Sequence, residues 1–162
     1  MPDPIRVRDL ELRFGERTYV MGIVNMTPDS FSGDGLLAGA DPVEAAVTQA
    51  RRMVAEGADI IDVGGESTRP GHEPVSAAAE LGRVVAVVRA LRETLPGVPL
   101  SVDTSKPAVA DAALEAGADI VHDVAGVTAG AALAPVAAGH EAPDIVMHRR
   151  AQPRYGDGEE ET

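Results

Sequence analysis

Five residues recur almost unchanged sixty positions apart: Gly57-Ala-Asp-Ile-Ile61 and Gly117-Ala-Asp-Ile-Val121. Each copy ends a helical pattern on glycine and runs directly into a buried apolar segment. The spacing holds two strand–helix units, so the chain repeats a β/α design. Continuous apolar strands alternating with helices require a parallel sheet with helices packed against it, the α/β class.

The rest of the chain fits that repeat. Residues 20–24 read as a buried strand. Asp41 can cap a helix that Pro42 opens and that runs to about Glu56. Residues 60–63 form the next strand. Ser76 caps a helix through about Thr94, with Glu80 as acidic support for its early turns, and Pro96-Gly97 breaks it. Residues 100–103 are a third strand, Lys106-Pro107 start a helix that ends at Gly117, and 120–124 are a fourth strand. A short alanine-rich helix at about 130–138 and a fifth strand at 145–148 follow.

Composition narrows the function. The 162 residues suffice for one domain with a real core. Aromatics are only 2%, so that core is built from Val, Ile, Leu and Ala. Cysteine is absent, which excludes disulfides and thiolate zinc sites. No apolar run approaches the roughly 18 to 20 residues of a membrane span. The start, Met1-Pro-Asp-Pro, lacks the basic and apolar segments of a signal peptide. The expectation is a cytoplasmic protein. A net charge of −12 opposes binding to nucleic acid or to an anionic membrane. An anionic ligand would need local positive groups or a metal.

Parallel β/α structures bind ligands at the carboxyl ends of their strands. Asn25, Thr27, Pro28, Asp29, Ser30 and Phe31 follow the first strand, and Glu66, Ser67, Thr68 and Arg69 the second. Asp103, Thr104, Ser105 and Lys106 follow the third, His122 and Asp123 end the fourth, and His148 ends the fifth. In Asp62-Val-Gly-Gly-Glu-Ser-Thr-Arg-Pro-Gly71, glycines allow close backbone approach. The hydroxyls and the guanidinium suit a phosphate. Plainer roles exist for each residue. Asn25 and Asp29 could cap a turn, Arg69 could form a surface ion pair, and Asp103 could cap the helix that follows. Lys106 reads as a solvated residue of a first helical turn, and His122 as a hydrogen-bonded residue rather than a metal ligand. The four histidines show no metal-ligand spacing.

Three blocks together resemble dihydropteroate synthase, the folate-pathway transferase family. They are Met21-Gly-Ile-Val-Asn-Met-Thr-Pro-Asp-Ser-Phe-Ser32, Asp62-Val-Gly-Gly-Glu-Ser-Thr-Arg-Pro-Gly71 and Ser101-Val-Asp-Thr-Ser-Lys-Pro107. Gly117-Ala-Asp-Ile-Val-His-Asp-Val124 and Met147-His148 match more loosely. The resemblance, over about residues 5–150, implies a TIM barrel. It implies condensation of 6-hydroxymethyl-7,8-dihydropterin diphosphate with p-aminobenzoate, release of pyrophosphate, and Mg²⁺ as cofactor. Asn25 then matches a metal and diphosphate ligand and, with Arg69, the catalytic group. Asp103 matches the carboxylate on the pterin ring, and Thr68 a residue contacting the pterin diphosphate. Thr27, Asp29, Ser30, Phe31, Ser67 and Arg69 lie in the two loops that close over the second substrate. His122 stands where the family usually has asparagine.

Only about five of the usual eight strands are visible, so the resemblance implies a partial barrel over residues 1–150. The later pterin-binding aspartate, the lysine and the Arg-x-His diphosphate site have no counterpart, as in a chain shortened at its carboxyl end. An acidic, disordered tail is expected at 151–162. An open sheet of this kind would expose an edge and an apolar interior, which a second copy or a complementing partner could cover. The alternative function is a catalytically inactive pterin-binding or interaction protein. A different phosphate-ligand enzyme on the same scaffold is a third reading.

Overall fold

The computed structural model describes residues 3–26, 41–65, 75–124 and 132–147. A hairpin comes first, with β1 (Ile5–Val7) and β2 (Leu10–Leu12) pairing antiparallel. The repeat follows: β3 (Met21–Asn25), α1 (Pro42–Ala55), β4 (Ile60–Gly64), α2 (Ala77–Thr94), β5 (Leu100–Asp103), α3 (Pro107–Ala116), β6 (Ile120–Asp123), α4 (Ala134–Gly139) and β7 (Asp144–Val146). The second sheet is parallel throughout and ordered β3-β4-β5-β6-β7. Strand order thus follows chain order without the reversal of a doubly wound sheet, and the five strands form part of a β/α barrel. The acidic tail, His148 and the expected start of the short helix lie outside the described residues.

The helices begin and end where local chemistry dictates. Asp41 accepts a hydrogen bond from the Val43 N–H and Pro42 occupies the first helical turn, which starts α1. Ser76 accepts from the Ala79 N–H at the start of α2. Gly57 and Gly117, the first residues of the two repeat copies, have φ of +110° and +118°. L-residues with a Cβ rarely adopt this left-handed conformation, and there the chain turns out of the helix toward the next strand.

The aspartates of the repeat do matching work. Asp59 accepts from the Val20 N–H at 2.8 Å and pairs with Arg17 at 2.7 Å. Asp119 accepts from the Leu100 N–H at 3.0 Å and pairs with Arg92 and Arg8, each at 2.5 Å. Each carboxylate therefore ties the amino end of one strand to its neighbour. Arg92 also donates to the carbonyls of Leu95, Pro96, Val98 and Gly117, fastening the end of α2 to the end of α3.

Alternation along the strands separates two faces. Val24, Ile61, Val63, Leu100, Val102 and Val121 point outward and pack against Val84, Val87, Val88 and Leu91 of α2 and Val109 and Ala113 of α3. On the inner face, Ile60 and Ile120 pack on Val7 and Leu12 of the hairpin. The hairpin, which the strand–helix pattern does not reveal, covers the amino-terminal end of that face. The expected buried strand at 20–24 needs correction. Ile23 and Val20 are each 52% exposed, because β3 is an edge strand and, beyond Met21, its inner side meets no covering layer among the described residues. Val146 and Met147 are exposed beside the opposite edge. Among the described residues no helix is long and apolar enough to cross a membrane.

The two repeat aspartates differ in burial, which sets their worth. Asp119→Ala removes the partner of the mostly buried Arg92 and is expected to cost about 3 kcal/mol. Asp59→Ala, whose Arg17 partner is half exposed, is expected to cost about 1 kcal/mol. Urea denaturation of the two variants measures the difference.

Candidate active site

Parallel register brings the site together. Asn25 pairs with Gly64, Gly64 with Asp103, and Asp103 with His122. One residue from each of four adjacent strands thus stands in a single row at the carboxyl end of the sheet. Asn25, Asp103 and His122, named from sequence, share this inner rim. Thr27, Asp29, Ser30, Phe31, Ser67, Thr68 and Arg69 lie outside the described residues. A Cβ on Gly64 would come 3.3 Å from Asn25 Oδ1 and 3.5 Å from Asp103 Oδ2. Glycine there keeps the space between the amide and the carboxylate open.

One level deeper, Asp62 pairs with Ser101 across the strands. Both are buried, Asp62 at 1% exposure. Ser101 Oγ donates a short hydrogen bond to Asp62 Oδ1, and His122 Nδ1 lies 3.1 Å from Asp62 Oδ2. Both carboxylate oxygens are thereby engaged, which offsets the cost of removing a charge from water. Sequence inspection saw Asp62 and Ser101 only as parts of motifs. Their signal was a polar residue inside each of two apolar strand runs.

The Asp62 hydrogen bond raises the His122 pKa above the ordinary histidine value. Burial opposes the rise, and the charges of Asp62, Asp103 and Asp123 reinforce it. Ligand-capable atoms of Asp62, Asp103 and His122 lie within 4.8 Å of one another. With Asp62 engaged on both oxygens, the arrangement is a hydrogen-bond network, in keeping with the sequence reading of His122. It presents carboxylate acceptors and an imidazole at the rim.

A second polar group supports the rim from behind and corrects two expectations. Glu80 does more than face the helix dipole. It is fully buried, accepts from Thr104 Oγ1 at 2.6 Å and pairs with Lys106 Nζ at 2.6 Å. Lys106 is accordingly an ion-pair partner, not a solvated residue, and its N–H donates to Thr104 Oγ1 at 3.1 Å. The N-cap residue of α3, Lys106, makes no side-chain cap bond of its own. A Cβ on Gly65 would fall 2.6 Å from Glu80 Cγ and 2.8 Å from Val84 Cγ2, so α2 approaches β4 this closely only at glycine. Lys106 is the single lysine in a chain otherwise using arginine. A compact ammonium fits where a planar guanidinium does not.

A family model described as pterin binding enzyme matches residues 21–162. The chain is 47% identical to the dihydropteroate synthase of Synechocystis, covering 96% of this chain and 55% of that protein. It is 46% identical to that of Bacillus subtilis, covering 94% and 52%. Among solved structures it is similar to the Clostridium difficile dihydropteroate synthase determined in the presence of pteroic acid. There the TM-score is 0.78 at 42% identity, over 90% of this chain and 54% of that one. The Xanthomonas albilineans dihydropteroate synthase with 4-aminobenzoic acid gives 0.75 at 45% identity, over 88% and 50%. The chain spans about half the length of the curated relatives it matches.

Lys106→Met leaves Glu80 buried without its counter-charge and is expected to cost about 3 kcal/mol. Adding Glu80→Gln should recover part of that loss, as a double-mutant denaturation cycle measures. His122 has a raised folded-state pKa, so its contribution to stability is full below the unfolded value near 6.5 and fades as pH rises through the folded one. Denaturation midpoints should fall over that window in the native chain and not in His122→Asn.

Proposed function

The chain belongs to the pterin-binding enzyme family, and from that premise we propose that it acts as a dihydropteroate synthase-like transferase of folate biosynthesis. The amine nitrogen of p-aminobenzoate attacks the methylene carbon of 6-hydroxymethyl-7,8-dihydropterin diphosphate. The C–O bond to the diphosphate breaks, pyrophosphate leaves with the electron pair, and the amine loses a proton. The observation that carries this reading is the row of Asn25, Asp103 and His122 on one face, with Gly64 open between the first two.

The barrier to such a displacement falls when the leaving group's charge is stabilised and the pterin is held in line. Asp103 suits the pterin, whose amide and amino N–H groups form two parallel hydrogen bonds to a carboxylate. Asn25 is exposed at the end of β3 and offers a hard amide oxygen, a donor that fits Mg²⁺, an ion that keeps several waters and uses few protein ligands. Mg²⁺ bound there would neutralise diphosphate charge. By family resemblance, Arg69 and Thr68 contact the diphosphate, while Thr27, Asp29, Ser30, Phe31 and Ser67 enclose the second substrate. The cytoplasm is the compartment this pathway assigns.

A second reading, pterin binding without turnover, is favoured by the exposed Ile23 on the inner face of the edge strand β3. Self-association or a complementing partner would cover that face and restore the first reading.

Turnover of the two substrates by the pure chain, with light scattering for its mass, separates these. Product from an assembly supports the transferase, and pterin binding without product supports the second reading. A well-folded chain that binds no pterin points to another phosphate ligand. Asp103→Ala removes two charge-assisted hydrogen bonds and is expected to weaken pterin binding by about 100-fold with the fold intact by circular dichroism. Unchanged affinity would refute the role of Asp103.

A further inference from the structure

We propose, resting on the reading that this rim binds a pterin, that His122 is a specificity-determining residue whose Nε2 recognises the acceptor side of the heterocycle, and that it does so only as the imidazolium. The tie to Asp62 creates this behaviour. Asp62 takes a donor on each oxygen, one from Ser101 and one from His122. An ionised carboxylate only accepts, so the hydrogen on the imidazole belongs at Nδ1. Nδ1 points down to the buried level of Asp62, which leaves Nε2 on the rim side of a partly exposed ring. Among the described residues the ring's hydrogen bond is the one at Nδ1. The neutral ring therefore presents a bare lone pair at Nε2, and protonation turns that atom into a donor.

The ligand's chemistry selects between the two forms. With the N–H edge of the pterin on Asp103, the next nitrogen around the ring is an acceptor, and His122 stands beside Asp103 in the row. A lone pair facing that nitrogen repels it, whereas an imidazolium N–H bonds to it. Among the described residues the titratable groups set against the ring are carboxyls: Asp62 from β4, Asp103 from β5, Asp123 on its own strand and Asp144 from β7. Asp62, Asp103 and Asp123 favour the cation. The Asp144 carboxyl is pushed above the usual carboxylate range by burial, then by the charge of Asp123. Pterin affinity should then fall as pH rises through the His122 pKa, by up to about tenfold per unit for one linked proton.

The experiment measures the dissociation constant of 6-hydroxymethylpterin by fluorescence from about pH 6 to about pH 9, spanning an ordinary or raised histidine pKa. The native chain, His122→Gln and His122→Asn are compared. Glutamine places a non-titrating amide donor near the Nε2 position, and asparagine is the fallback should glutamine not fold. The pterin's own titration is common to all chains, so the readout is the ratio of native to variant affinity. The expected result is a ratio that falls at least about tenfold across the range, with Asp62→Asn moving the native midpoint to lower pH. A pH-independent ratio overturns the assignment of His122 while leaving pterin binding in place. Absence of pterin binding by the native chain at every pH removes the underlying reading and the assignment with it.

Discussion

In-register parallel pairing is the constraint on which the rest depends. Side chains alternate with a period of two, so a slip of one residue would move Asn25, Asp103 or His122 to the helix-packed face and bring apolar residues to the rim. The register is secured at the opposite end of the sheet. Asp59 and Asp119 each bind an N–H at the start of a neighbouring strand and an arginine, so the amino ends are tied while the carboxyl ends carry the candidate site. The hairpin covers the apolar floor between them through Val7 and Leu12. The ties and the candidate site are thus placed at separate ends of the same strands.

Two buried carboxylates lie behind the rim, and each is neutralised differently. Glu80 meets a cation and a hydroxyl, an arrangement that holds α2, β5 and the start of α3 together. Asp62 meets a hydroxyl and an imidazole whose charge is itself adjustable. The first pair is structural, since Lys106 is drawn away from the rim. The second couples the interior of the sheet to whatever occupies the site, because any change at His122 is felt by Asp62 and Ser101 beneath it.

Much of this was legible in the chain. Caps at Asp41 and Ser76, stops at Gly57 and Gly117 and the apolar strand runs marked most of the repeating elements to within a residue or two, while the short helix, expected from about 130, starts at Ala134. Asn25, Asp103 and His122, at the ends of three of those runs, marked the rim. What escaped notice had physical reasons. The hairpin is two three-residue strands whose pattern is too short to register and whose stability comes from packing under Ile60 and Ile120. Glu80 and Lys106 are far apart in sequence, and each alone fits a bland helical role. Asp62 and Ser101 gain meaning only once β4 and β5 are aligned. The exposure of Ile23 depends on what lies opposite the sheet, which local composition does not encode.

Strand order matching chain order also bears on how the molecule forms. Every pairing in the parallel sheet joins segments separated by one helix, so none waits for a distant part of the polypeptide. A chain leaving the ribosome can complete β3 through β4, then add β5 and each later strand to a growing template. The newest strand is always the reactive edge of that template. Progressive synthesis therefore moves one adhesive border outward while β3 keeps the other, and crowding among nascent copies is where such a sheet would be captured by the wrong neighbour.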